Sequence, residues 1–364
     1  MKIVCLNCGR SYPEEGTPYK CPKCGGLFDI PNLEFDPVQV DSSEIGIWRY
    51  RHTFCGLTSG SPSVSLGEGA TPLLWSEAFG RQIAFKCEYL NPTGSFKDRG
   101  TALIASFLKT RGVTSAVEDS SGNAGASFAA YAAHAGIKAG IYIPASASGP
   151  KLHQITFLGA EVHPIEGSRS DVTEALKSAL EISPIAYASH AYLPVNIPGY
   201  ATAAYEIFEQ IGCAPGAVVV PAGQGGLLLG LYRGFCALKQ AGLISSLPYF
   251  IGVQARACSP LWVLSTAGMS AMGFITEGQT LAEGVRVKQP LRAGALLQMV
   301  AAGRGEFIPI DEADILSGRD ELARRGLYVE PTSAITWAAL DQTVKKLPDP
   351  VVVMLTGSGY KYSR

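Results

Sequence analysis

The sequence predicts an α/β fold of doubly wound, three-layer architecture with a small metal-stapled ribbon in front of it. Two observations predict it. From about residue 82 short apolar runs alternate with longer amphipathic ones, the pattern of parallel strands covered by helices on both faces. Near the N-terminus, four of the nine cysteines fall into two close pairs, a spacing suited to a metal ion.

The predicted strands are residues 83–87, 115–118, 139–143, 161–165, 217–221, 249–254 and 351–355. Helix-length segments at 101–110, 124–135, 171–181, 201–211 and 227–240 separate most of them. In such folds ligands bind at the carboxyl ends of strands, so the chemistry is sought in the βα loops. A chain of 364 residues allows roughly two or three domains. Lys plus Arg total 30 against 31 for Asp plus Glu, so no global field favours nucleic acid or an anionic membrane surface, and a small-molecule partner is expected. The start lacks a signal-like run, and the apolar segments are broken before the roughly 18 residues of a membrane span. A cytoplasmic location is expected.

Cys5, Cys8, Cys21 and Cys24 form C-x-x-C, twelve residues, then C-x-x-C, each pair followed by glycine. Two-residue spacing turns both thiolates of a knuckle onto one ion, and four thiolates complete a closed tetrahedral zinc site. A module this small has little core, so the metal supplies its folding energy. The remaining cysteines, at 55, 87, 213, 236 and 258, sit singly in mostly apolar surroundings and are expected to be buried. Residues 31–65 read as a linker and packing arm carrying Trp48, Arg49, Tyr50 and Arg51. The following LGEGATPL, residues 66–73, reads as a generic glycine turn.

Four loops carry candidate chemistry. NPTGSFKDRG, residues 91–100, places Lys97 behind a tight glycine-serine entry with Phe96 as apolar cover. The positive end of the helix that follows favours a neutral, nucleophilic amine, while Asp98 and Arg99 read as structural anchors. SSGNAGAS, residues 120–127, offers hydroxyls, an amide and a helix N-terminus suited to a carboxylate; a plain Ser/Asn helix cap explains it equally well. PAGQGGLLLG, residues 221–230, lets backbone amides approach a phosphate but is neither a Walker loop nor a dinucleotide fingerprint. LTGSGYK, residues 355–361, puts the neutral hydroxyls of Thr356 and Ser358 at a strand end.

With these loops in this order behind a cysteine ribbon, the chain resembles the fold-type II pyridoxal-phosphate enzymes, most closely threonine synthases. The resemblance implies two doubly wound subdomains: a zinc ribbon at 1–36, then a catalytic region at 37–364 with a smaller mobile subdomain at roughly 100–200. It implies that Lys97 carries pyridoxal 5'-phosphate covalently and acts as general base, and that Asn123 lies beside the pyridine ring. Ser120, Ser121, Gly122, Asn123 and Ala124 would bind the substrate carboxylate. Gly223, Gln224, Gly225, Gly226 and Leu227 would hold the cofactor phosphate, and Thr356, or with less support Ser358, would meet the ring nitrogen. A neutral hydroxyl there suits elimination and replacement rather than transamination. A homodimer is the family expectation.

Threonine synthases commonly carry N-P-x-R-x-x-G, whose arginine clamps the substrate phosphate, whereas this chain reads LPVNIPG with Asn196 at that place. An asparagine lacks the charged fork. Arg169, Lys151 and Arg256 are possible substitutes, each more simply a surface charge. Residues 280–290 resemble the dehydratases and ammonia-lyases of the fold, and Glu283 and Glu330 are candidate acids near the ring. The histidines form no ligand pattern. The leading expectation is a threonine synthase-like lyase converting O-phosphohomoserine to threonine and phosphate. The alternatives are a β-eliminating or β-replacing enzyme (threonine or serine dehydratase, diaminopropionate ammonia-lyase, cysteate or cysteine synthase) and, from another class, a catalytically inert zinc-ribbon binding protein.

Overall fold

A computed structural model of the chain describes residues 2–58, 63–183 and 185–362, without the side chains of Cys55 and Thr58. The chain divides into two compact units, Met1–Gly69 with Asn91–Gly199 and Lys361–Arg364, and Ala70–Leu90 with Tyr200–Tyr360. The first unit opens with β1 (Val4–Cys5) and β2 (Phe28–Asp29), followed by a short helix α1 (Cys55–Thr58). The hairpin β3 (Leu73–Ala78) and β4 (Arg81–Lys86) belongs to the second. The first unit resumes with α2 (Lys97–Thr110), β5 (Ser115–Glu118), α3 (Asn123–Ala135), β6 (Lys138–Pro144), α4 (Pro150–Phe157), β7 (Glu161–Ile165), α5 (Arg169–Ile182) and β8 (Ala186–Tyr187). Helix α6 (Asn196–Ile211) leads into β9 (Ala217–Pro221), α7 (Gly226–Gln240), β10 (Tyr249–Ala255) and α8 (Pro260–Ala267). The second unit then completes with α9 (Ala293–Ala301), β11 (Gly305–Ile310), α10 (Glu312–Arg324), α11 (Pro331–Thr343) and β12 (Val351–Met354).

In the first unit a parallel sheet runs in the order β7-β6-β5-β8. The second unit carries β11-β10-β9-β12-β4-β3, parallel except for the edge hairpin. Strands β5, β7 and β9 coincide with the expected residues. Besides the two-residue strands β1 and β2 of the ribbon, three strands escaped the sequence reading for physical reasons. β3 lies on a sheet edge with Leu74 and Trp75 exposed, so its apolar pattern is not tied to burial. β8 has two residues, and β11 holds Gly305 and Pro309, both weak strand formers. The helices begin one to five residues earlier than predicted: α2 at Lys97, α3 at Asn123, α5 at Arg169, α6 at Asn196 and α7 at Gly226. Candidate loop residues are therefore first-turn residues of helices, where backbone N–H groups lack intrahelical partners. Among the described residues no helix is long and apolar enough to cross a membrane.

The ribbon packs within the first unit on the far end of α2. Tyr12 stands edge-on between Phe28 at 4.6 Å and Phe107 at 5.8 Å. Arg111, capping α2, donates to the carbonyls of Pro13 (3.0 Å), Gly16 (3.2 Å) and Glu14. The segment expected to be a packing arm buries Trp48, whose Nε1 donates to Glu68 at 2.7 Å. The cysteine expectation holds in part. Cys87 and Cys258 are buried, but Cys236 is half-buried and Cys213 is exposed, in the turn following α6. The side chain of Cys55 lies outside the described residues.

The core of the second unit is built from alternate strand positions such as Ile83, Phe85, Val219, Val253 and Val353, covered by Ile335 and Leu340 of α11. On the other face of β4 one charge interrupts the apolar pattern. Lys86 is fully buried and donates to Glu206 Oε2 (2.6 Å), the Thr71 carbonyl (2.7 Å) and Gln210 Oε1 (3.1 Å). A lone partner left in such a place is an uncompensated charge. Lys86→Met is expected to destabilise the protein by about 3–5 kcal/mol in urea unfolding, and Lys86→Met with Glu206→Leu to recover part of that loss.

Candidate active site

Lys97 is the first residue of α2, and the turn that delivers it is heavily braced. The Gly94 N–H closes on the Asn91 carbonyl at 2.8 Å, and Asn91 Oδ1 accepts from Gly69 N at 2.9 Å. Asp98, the next residue, is completely buried. It accepts from Thr93 N (2.7 Å), Thr93 Oγ1 (2.6 Å) and, across to α3, Ser127 Oγ (2.6 Å). Lys361 secures the same turn by donating to the Thr93 carbonyl at 2.8 Å. Burial pushes the Asp98 carboxyl up to about 6, although Ser127, Thr93 and the Lys361 charge pull it back. The Lys97 ammonium lies 4.8 Å from the Phe96 ring centroid, so the expected apolar cover is an aromatic one.

The expected carboxylate loop follows β5. Ser120 is buried, and its Oγ accepts from Gly122 N at 3.2 Å. Asn123 and Ala124 open α3, whose start has no side-chain cap, which leaves first-turn N–H groups for an anion. Just before this loop lie two buried acids. His190 Nδ1 and Glu118 Oε1 are 2.5 Å apart, and Thr173 Oγ1 donates to Asp119 Oδ2 at 2.6 Å. Burial pushes both carboxyls up and holds the His190 imidazole neutral, with the Lys97 and Arg169 charges reinforcing the effect on His190. Asn196 is buried at the start of α6, and its Nδ2 donates to the His190 carbonyl at 2.6 Å.

In the second unit the glycine loop follows β9. Gly225 has φ +75°, in the left-handed region, and is the N-cap of α7, where no side chain caps the helix. A Cβ on Gly225 would stand 2.2 Å from Leu296 Cδ1, and one on Gly223 would stand 2.7 Å from the Gly284 carbonyl. Gln224 turns its side chain away, Oε1 accepting from Leu291 N at 3.1 Å. Thr356 lies just past β12, and its hydroxyl is 3.0 Å from that of Ser333, which also accepts from Gly357 N at 3.0 Å. Ser358 is buried and bridges to Val329. Glu330, the N-cap of α11, is buried and its N–H donates to the Gly357 carbonyl at 3.0 Å, whereas Glu283 is exposed.

The four ribbon cysteines place their Sγ atoms within 4.8 Å of one another, with Cys5 to Cys24 at 3.5 Å and Cys8 to Cys21 at 3.8 Å. Four thiolates about 2.3 Å from a tetrahedral zinc ion stand about 3.8 Å apart, so the donor set fits that metal. Burial of Cys5 opposes ionisation, but the Cys8 and Asn7 N–H groups outweigh it and bring the thiol down to about 7.

Residues 64–357 match the family described as pyridoxal-phosphate dependent enzyme. The chain belongs to the pyridoxal-phosphate dependent enzyme family. Threonine synthase of Methanocaldococcus jannaschii is 30% identical over 98% of this chain and 92% of that protein. Threonine synthase of Synechocystis sp. is 34% identical over 83% of this chain and 79% of that protein. Among solved structures, a threonine deaminase of T.th. superposes with a TM-score of 0.67 at 27% identity, covering 81% of this chain and 94% of that one. Maize serine racemase, at 21% identity over 79% of this chain and 89% of that one, shares the fold with a TM-score of 0.68. The fold is thus that of the fold-type II enzymes, and an inert binding protein is set aside.

The family's cofactor, pyridoxal phosphate, carries a phosphate, and the glycine loop fits it. Gly223 and Gly225 keep the loop free of Cβ atoms, and α7 begins with N–H groups that no side chain caps at its positive end. Three contributors escaped the sequence reading. Glu68, in the stretch read as a generic turn, is a buried hub that accepts from Trp48, Tyr131 Oη (2.7 Å) and Leu66 N (2.9 Å). Ser333 supports Thr356, and His190 pairs with Glu118. An acid inside a glycine turn is a usable signal for the first. The other two are long-range pairings with no local pattern.

Asp98 links the lysine turn to pH. Its folded-state pKa lies above the ordinary 3.8, so its stabilising share is complete below about pH 4 and lost as pH rises through about 6. Compared with Asp98→Asn, the wild-type protein is expected to lose on the order of 3 kcal/mol of relative stability between pH 4 and 7. Parallel urea titrations at the two pH values check this, and a difference independent of pH contradicts it.

Proposed function

We propose that this enzyme is a lyase of the threonine synthase type, in which O-phosphohomoserine and water give threonine and phosphate. The observation that carries the reading is the near full-length likeness to threonine synthases, which extends over 98% of the chain in one case. In this reading Lys97 holds the cofactor, and its Nζ, once freed, takes the proton from the substrate α-carbon. Ser120, Ser121, Gly122, Asn123 and Ala124 bind the substrate carboxylate, with Asn123 also beside the ring. The N–H groups of Gly223, Gln224, Gly225, Gly226 and Leu227 hold the cofactor phosphate, and Thr356, itself oriented by Ser333, meets the ring nitrogen. Bound pyridoxal phosphate supplies the electron sink that makes the α-proton removable. Asp98 keeps Lys97 where that proton is presented, and its own carboxylate is filled by three donors, so it does not compete as a base.

Cys5, Cys8, Cys21 and Cys24 hold a structural zinc ion, with a ribbon at 1–36 and the catalytic region at 37–364. We place the protein in the cytoplasm as a homodimer with no nucleic-acid or membrane partner; the balanced charge supports the last of these.

A second reading, β-elimination from serine, threonine or diaminopropionate, is favoured by Asn196. Its Nδ2 donates to the His190 carbonyl inside the protein, and an amide has no charged fork to offer a phosphate. The likeness to a threonine deaminase structure adds to it. Phosphate release from O-phosphohomoserine, measured beside keto-acid formation from serine and threonine, separates the two. Phosphate release without keto acid is expected, and keto acid without phosphate release refutes the leading reading.

Two further outcomes follow. Gly223→Ala pushes a methyl into the Gly284 carbonyl and is expected to raise the pyridoxal phosphate concentration for half-reconstitution by about tenfold or more. Removing the zinc with a chelator under reducing conditions is expected to unfold the ribbon first, seen as protease cleavage before residue 36 while the rest of the chain persists.

A further inference from the structure

Expulsion of a phosphate group places growing negative charge at the far end of the substrate, and a guanidinium is the side chain best shaped to receive it. The charged and titratable groups around the end of β5 in the first unit are Lys97, Glu118, Asp119, Arg169, His190 and, neutral on β8, Tyr187. Glu118 Oε1 and His190 Nδ1 are paired at 2.5 Å, Glu118 Oε2 is buried without a hydrogen bond, and Asp119 accepts from Thr173 at 2.6 Å. Lys97 is assigned to the cofactor. Arg169 differs from these. Among the described residues its guanidinium makes no hydrogen bond and no ion pair within 4 Å, and only its carbonyl accepts a bond, from Thr173 Oγ1 at 3.3 Å.

Its position is a poor one for an arginine with a purely structural task. It is the first residue of α5, at the positive end of the helix dipole, where a cation is disfavoured. The helix start has no need of it, because Ser168 and Asp171 already form a reciprocal capping box. The direction of that helix face is fixed by its neighbour. Thr173 stands four residues on, so the two share a face, and Thr173 is bonded to Asp119, the residue directly before Ser120. Arg169 therefore faces the end of β5 from which the carboxylate loop starts. The charge of Arg169 also counters the burial that pushes Glu118 and Asp119 up, so the acids lie within reach of its field without closing on it.

We propose that Arg169 is the specificity-determining residue for the distal anionic group of the substrate, pairing its guanidinium with the phosphate of a phosphorylated amino acid. The proposal rests on the lyase reading above and deepens it: the substrate class is α-amino acids carrying a terminal phosphate, and the cation that position 196 lacks comes from α5 instead. Asn196 and the His190–Glu118 pair hold the chain between β8 and α6 in place and make no contact with the phosphate.

The test uses the holoenzyme as wild type, Arg169→Gln and Arg169→Lys. Cofactor absorbance is titrated with O-phosphohomoserine and, separately, with serine, and inorganic phosphate is tried as a competitor of the first. Arg169→Gln is expected to weaken O-phosphohomoserine by about 10- to 100-fold and to abolish competition by phosphate, with serine changed by less than about twofold. Arg169→Lys is expected to fall between, since it keeps the charge and loses the fork. Equal losses for both amino acids, or no loss for either, overturn the proposal. A wild-type enzyme that responds to serine but not to O-phosphohomoserine also overturns it, and leaves the cofactor assignment and the β-elimination reading standing. A wild-type protein whose cofactor absorbance responds to no amino acid overturns the lyase reading and this proposal with it.

Discussion

Asp98 is the group through which the lysine turn is held. Its two carboxylate oxygens accept from the backbone and side chain of Thr93 and from Ser127, so the loop before α2, the first turn of α2 and the neighbouring helix α3 meet on one buried group. A buried carboxylate is costly unless its lone pairs are filled, and here three short bonds fill them. The adjacent residue inherits that rigidity. Lys97 is presented from a backbone braced by the bonds of its neighbour, the preorganisation that the tasks proposed for it, covalent attachment and proton transfer, require.

Helix α2 carries the consequence outward. Lys97 stands at its first residue, and Arg111 at its end is tied to three carbonyls of the cysteine ribbon. The ribbon thus has a structural role that its sequence alone does not reveal: it docks on the C-cap residue of the helix that bears the candidate lysine. Within the second unit the equivalent constraint is steric. At Gly223 the Gly284 carbonyl leaves no room for a Cβ and at Gly225 the backbone is left-handed, so the loop after β9 presents glycine amides at both positions. That is the geometry a phosphate asks for.

Much of this was legible in the sequence because short, local patterns carried it. Strands β5, β7 and β9 and the cysteine pairs were readable from periodicity and spacing alone. The loops were recognised as a set because glycine, serine and threonine cluster after strands. What stayed hidden depends on long-range pairing. Glu68 looks like one more residue in a glycine turn, yet it is bonded to Trp48 and Tyr131, 20 and 63 residues away. Arg169 reads as a surface charge until Thr173 shows which way its helix faces. The helix starts were placed too late for a related reason: small polar residues look like loop, although they form the first turn.

Lys97, and no other lysine, is proposed to carry the cofactor. Reduction of the holoenzyme with borohydride followed by peptide mass analysis tests it most directly. A pyridoxyl group is expected on the peptide containing Lys97, with Lys86 and Lys361 unmodified because both are buried and already donate to carbonyl oxygens. A pyridoxyl group on any other lysine, with Lys97 unmodified, would contradict it.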